Sequence, residues 1–136
     1  MPKVSMSQDL AVSADRLWDM IGRFNALPDW HPGVESSELT EEGQTRKLSL
    51  VGGGSIIEKL EHKDDHSRTY TYSIVDSPLP VKNYTATLKV TGEGENSSVE
   101  WSSEFETHGG SDNAAMKAIE DVYQTGLDNL KKMFGG

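Results

Sequence analysis

From Val34 to Thr107 the chain alternates apolar and polar side chains, and every break in the alternation is only a few residues long. A period of two is the signature of strands that bury one face. The runs are Val34–Glu41, Thr45–Val51, Ser55–His62, Ser67–Val75, Asn83–Thr91 and Ser97–Glu106. Between them stand Glu42-Gly43, Gly52-Gly53-Gly54, Asp64-Asp65, Ser77-Pro78 and Gly92-Glu93-Gly94, all residues that favour turns. A parallel crossover needs about a dozen residues or more, so these breaks allow only antiparallel neighbours.

Other elements flank this region. Lys3–Leu10 alternates as well and reads as a further strand. Ser13 then offers an N-cap to a helix carrying Leu17, Trp18, Ile21 and Phe24 at helical spacing. Asn25–Gly33 contains two prolines and a glycine and reads as a loop or a short broken helix. At the far end Ser111 and Asp112 open the longest helix, with Ala115, Ile119, Tyr123, Leu127, Leu130 and Phe134 as its apolar stripe. Lys131 and Lys132 suit its C-terminal dipole and Gly135 its C-cap. The expected fold is therefore α+β: six to seven antiparallel strands curved around one long C-terminal helix. With 136 residues, no repeat and no linker, residues 1–136 are expected to form a single domain.

Alternation also assigns faces. Arg46, Leu48 and Leu50 share one side of their strand, and Ile56, Glu58 and Leu60 share the apolar side of the next. Tyr70, Tyr72 and Ile74 follow, with Arg68 on the same parity; then come Tyr84, Ala86, Leu88 and Val90, and Val99, Trp101, Ser103 and Phe105. If the three glycines make the turn that pairs Val51 with Ser55, Arg46 lies diagonally across from Glu58, within reach of it. Such an inward pair either satisfies itself or forms a polar floor in an apolar cavity. One helix cannot cover the concave face of so many strands, and Gly126 removes a side chain in mid-helix, most simply for close packing. A cavity is the expected result.

These residues carry a resemblance. The run Ser13–Trp30 (SADRLWDMIGRFNALPDW), the stretch Thr45–Val90 with its GGGSIIEKLEH centre, and VEWSSEF at Val99–Phe105 resemble the START-like helix-grip superfamily. The similarity is to its bacterial polyketide cyclase/dehydrase-like branch and, across the same elements, to the plant abscisic-acid receptors. It implies a hydrophobic small-molecule ligand. Through it Glu58 matches a pocket glutamate of the receptors. The glycine turn, with Gly53 and Gly54, takes the place of their gate loop, and Ser77–Val81, with Leu79 and Pro80, that of their latch loop. The Ser-Gly-Leu-Pro-Ala gate pattern is absent, and His31 stands where the receptors hold the lysine for the hormone carboxylate. The resemblance thus implies fold and pocket and argues against that hormone as ligand.

The candidate ligand-binding residues are Glu58, Arg46, Tyr70, Tyr72, Tyr84, Trp101, His31 and Tyr123; Glu58 and His31 are the candidates for proton transfer. The polar, proline-containing setting of His31 favours a solvent-facing loop residue, while the adjacent Trp30 could draw it to a cavity mouth. The pair His62 and His66 lacks further ligands for a metal, and no cofactor motif is present. Charge supplies an exclusion: a net −9 repels phosphate backbones and anionic membranes. No run is long enough for a membrane span or a signal peptide, and there are no cysteines, so a cytoplasmic protein is expected. Three functions remain: a binder of a hydrophobic, ring-bearing molecule, a cyclase- or dehydratase-type enzyme, and a protein-interaction module whose pocket is filled.

Overall fold

The computed structural model describes residues 2–135. Its elements are β1 (Lys3–Leu10), α1 (Ala14–Ile21), α2 (Leu27–Trp30), β2 (Val34–Thr40), β3 (Thr45–Leu50), β4 (Ser55–Asp64), β5 (Thr69–Asp76), β6 (Val81–Glu93), β7 (Asn96–Thr107) and α3 (Asp112–Phe134). Seven strands form one antiparallel sheet in the order β1-β7-β6-β5-β4-β3-β2. Only β1 leaves sequence order, crossing to pair with β7 in continuous register from Lys3↔Glu104 to Leu10↔Ser97. The fold is the START-like helix grip: the curved sheet holds α3 on its concave side. No helix among the described residues is long and apolar enough to cross a membrane.

Local chemistry fixes the helix ends. Ser13 Oγ accepts from Arg16 N–H and caps α1, whose Ala14, Leu17, Trp18 and Ile21 are buried. At Gly22 a Cβ would sit 2.5 Å from the Trp18 ring, so α1 stops where only glycine fits. Ser111 Oγ caps α3 through Ala114 N–H, and Gly135, at φ +81°, ends it with its N–H on Lys131 O. The buried face of α3 is Ala115, Ile119, Tyr123, Gly126, Leu127 and Leu130.

The segment before β2, a short 3₁₀ turn at Phe24–Ala26 followed by α2, is a broken helix held against α3. Asn129 Nδ2 donates to Trp30 O at 2.9 Å, and the His31 ring reaches Val122 O at 2.8 Å. Gly126 makes this approach feasible: a Cβ there would lie 2.7 Å from His31 Cδ2 and 3.0 Å from Trp30. The side chain missing from α3 therefore makes room chiefly for α2 and the residue after it, and then for Trp101, 3.2 Å away on the sheet.

Two expectations about the sheet need correction. The turn between β3 and β4 is Val51–Gly53, not Gly52–Gly54: Leu50 N–H donates to Gly54 O, and Ser49 pairs with Ser55. Moving the turn by one residue moves the register by two, so Arg46 lies directly opposite Glu58 rather than diagonally. Gly52 and Gly53, at φ +89° and +105°, adopt a backbone that residues with a Cβ disfavour. Arg68 is not inward at all. At φ +51° it belongs to the turn before β5 and pairs with Asp15 on α1.

Candidate functional site

A pocket of about 330 Å³ opens between α3, the α2 segment and the concave face of the sheet. Apolar walls come from Leu27, Leu48, Ile56, Ile74, Ile119 and Val122. The polar atoms among them belong to His31, Glu58, Tyr72, Tyr84 and Trp101. Exposed lining residues mark the rim: Val51 and Gly53 on the glycine turn, Asp121 and Thr125 on α3. Half-buried Leu79, from the loop before β6, lines it as well.

Three of the residues expected to bind ligand stand behind this wall. Arg46 is 1 % exposed and does not line the pocket. Its Nε and Nη2 both donate to Glu58 Oε1, at 2.9 and 2.6 Å, and Nη1 donates to Phe24 O. The guanidinium also lies 4.0 Å from the centre of the Phe24 ring. Tyr70 packs edge-on to Phe24 and beside Trp18, away from the pocket. Tyr123 stacks on Trp101 with ring centres 4.3 Å apart, backing the indole rather than facing the cavity. Of the loop residues, Gly53 and Leu79 reach the pocket, whereas Gly54 and Pro80 do not.

Glu58 is 5 % exposed. Burial pushes its carboxyl above the ordinary carboxylate range, and Arg46 pulls it part of the way back. Both hydrogen bonds from Arg46 land on one oxygen; among the described residues none donates to the other, Oε2. That oxygen belongs to the only carboxylate set deep in the lining, the second, Asp121, being exposed at the rim.

His31 corrects the solvent-facing expectation. It is 4 % exposed, and both ring nitrogens are used: Nε2–H donates to Val122 O, and Nδ1 accepts from Gly33 N–H at 3.0 Å. Burial lowers its pKa, against the pull of Val122 O, and the tautomer that the two bonds require is neutral. Gly33 in turn accepts from Val51 N–H at 3.1 Å, which ties the glycine turn to the rim.

Beside Glu58 the tyrosine hydroxyls form a chain. Trp101 Nε1–H donates to Tyr72 Oη at 3.0 Å, Tyr72 and Tyr84 hydroxyls are 3.5 Å apart, and Tyr84 and Tyr123 hydroxyls are bonded. Burial raises all three phenols, so they stay protonated. Four donor hydrogens meet three contacts within the chain, so one hydroxyl hydrogen, on Tyr72, Tyr84 or Tyr123 according to the direction of the bonds, is spare to it.

The lining residues that sequence reasoning missed come from α2, the turn after it and the flank of α3: Leu27, Gly33, Asp121, Val122 and Thr125. Val122 stands next to Tyr123 in sequence, one helical step off the apolar stripe, so periodicity assigns it no core role. Among the described residues no three His, Cys, Asp or Glu side chains are grouped to hold a metal ion.

A family profile described as "Polyketide cyclase / dehydrase and lipid transport" matches residues 1–135. The protein XoxI from Bacillus cereus is similar in structure, with 41 % identity and a TM-score of 0.96, over 98 % of this chain and 96 % of that one. The Zhui aromatase/cyclase of Streptomyces sp. R1128 shares the fold at 17 % identity, TM-score 0.77, over 96 % and 92 % of the two chains. A START superfamily protein of Mycobacterium smegmatis shares it at 12 % identity, TM-score 0.73, over 98 % and 99 %. A comparison with curated proteins found no match.

Proposed function

The chain belongs to the polyketide cyclase/dehydrase and lipid transport family, and from that premise we propose that it binds a hydrophobic, ring-bearing small molecule between the sheet and α3. One observation carries the reading: a pocket of about 330 Å³ with apolar walls and a few convergent polar groups, one of them a buried carboxylate. Ligand sites run from roughly 300 to 1,000 Å³ and have this composition, so the occupant is small. The Trp101 indole, backed by Tyr123, offers a flat aromatic face on one side.

A second reading is an enzyme of the cyclase or dehydratase type, favoured by the raised carboxyl of Glu58 beside tyrosine hydroxyls able to orient a carbonyl. His31 is poorly suited to proton transfer, because both nitrogens are occupied by backbone. The test is a panel of neutral aromatic and polyketide-like compounds scored by rise in melting temperature, with product analysis on each compound that binds. Binding without conversion supports the carrier; conversion lost in Glu58→Gln supports the enzyme. A panel that produces no shift at ligand concentrations in the millimolar range overturns both.

A further inference from the structure

The polarity of the pocket restricts what can enter it. Neither lysine nor arginine is among the described lining residues. The only guanidinium near is Arg46, sealed behind the wall and already neutralised by Glu58. His31 is neutral with both nitrogens engaged. The two carboxylates of the lining, Glu58 in the wall and Asp121 at the rim, are each already paired, with Arg46 behind the wall and with Lys117 3.4 Å away on the outer side of α3, so no free cation faces the space among the described residues. An anionic head group entering this space would lose its water and meet no cation. Glu58 Oε2, in contrast, has no donor among the described residues, and a carboxylate oxygen without one, in an apolar pocket, is a strong acceptor.

We infer that the pocket takes an uncharged aromatic molecule through a hydroxyl that donates to Glu58 Oε2, and turns carboxylates away. The inference rests on the binding reading above and adds the chemical class of the ligand. The tyrosine chain extends it: with its bonds running from Tyr123 through Tyr84 to Tyr72, the spare hydrogen lies on Tyr72, which lines the pocket, and is available to a carbonyl or ether oxygen on the same molecule. A hydroxyl next to a carbonyl on an aromatic frame satisfies both groups at once.

Three two-ring probes separate the contributions: 2-naphthol, 2-methoxynaphthalene and 2-naphthoate, titrated by calorimetry at pH 7. The naphthol should bind about tenfold or more tightly than its methyl ether, which cannot donate. The naphthoate should bind at least about a hundredfold more weakly than the naphthol. In Glu58→Gln the charge of Arg46 is no longer cancelled, so the naphthoate should gain affinity while the naphthol loses its advantage. Should that variant not fold, Arg46→Met/Glu58→Gln, which leaves no buried charge, should bind naphthol and methyl ether alike. Naphthoate binding to the wild type as tightly as naphthol would overturn the inference and leave the pocket reading intact. No binding by any probe, the methyl ether included, would remove the pocket reading and this inference with it.

Discussion

Replacing Glu58 by leucine strands a guanidinium that cannot give up its proton. Arg46 is 1 % exposed, and two of its donors, Nε and Nη2, have Glu58 Oε1 as their acceptor. Without it Phe24 O and the Phe24 and Tyr72 rings remain as partners, and neither ring is a full acceptor for the charge. Breaking a buried pair from one side costs about 3–5 kcal/mol. With an unfolding entropy of about 2.1 cal/mol/K per residue over 136 residues, that lowers the melting temperature by roughly 10–17 °C. Arg46→Met should cost less, because a carboxyl can escape its charge by binding a proton. In that variant the folded-state pKa of Glu58 rises further above the unfolded value. As pH rises the unfolded chain then loses its proton first, so stability should fall towards high pH. The double variant Arg46→Met/Glu58→Leu has no charge to strand and should lie near wild type, or above it by up to about 4 kcal/mol. Urea unfolding followed by tryptophan fluorescence measures all three, since Trp18, Trp30 and Trp101 are buried. A Glu58→Leu cost below about 1 kcal/mol, or a double-variant cost equal to the sum of the singles, would refute the asymmetry.

Gly126→Ala gains about 1 kcal/mol of helix propensity but places a Cβ 2.7 Å from His31, an overpacking cost of roughly 1–3 kcal/mol; a net loss of up to about 2 kcal/mol is expected, and a raised melting temperature would contradict the close approach. Because burial depresses the His31 pKa, the unfolded chain takes up the proton first as pH falls below about 6.5, so stability should decline there by up to about 1.4 kcal/mol per pH unit. His31→Gln should flatten that slope in unfolding measured from pH 7 to 5, and equal slopes would count against a buried neutral ring. Tyr84→Phe interrupts the hydroxyl chain between Tyr72 and Tyr123 and should cost about 1–3 kcal/mol; an unchanged urea midpoint would mean that the chain is not formed.

Where alternation met turn chemistry, the fold was legible. The parity of Arg46, Glu58, Tyr72, Tyr84 and Trp101 placed them all on the concave side, and Ser111 and Gly135 marked the ends of α3. Register was not legible to the residue, because three successive glycines offer more than one turn with the same chemistry. Arg68 shares the parity of Tyr70 and Tyr72 but not their face: its positive φ removes it from the strand before the alternation begins. Neither strand parity nor a helical stripe can tell a side chain that faces the pocket from one that stands behind it, which is how Arg46 and Tyr70, by parity, and Tyr123, by its stripe, came to be candidates. Least visible was His31. Its neighbours Pro32 and Gly33 read as an exposed loop, and its burial depends on Gly126 and Val122, far along the chain on α3.

Beyond the last β2–β3 pair, Val34 and Leu50, one bond among the described residues fastens the glycine turn to the segment before β2, Val51 N–H to Gly33 O. One such bond has a net value of about 1 kcal/mol, so by itself it leaves the turn unfastened on the order of a tenth of the time. Loop motions of this size take nanoseconds to microseconds. The turn residues that line the pocket, Val51 and Gly53, would therefore shift many times during any encounter that persists for milliseconds. Motion of these lining residues would need no disruption of the sheet or of α3, so the width of the pocket at this end would vary while its deeper walls stay fixed.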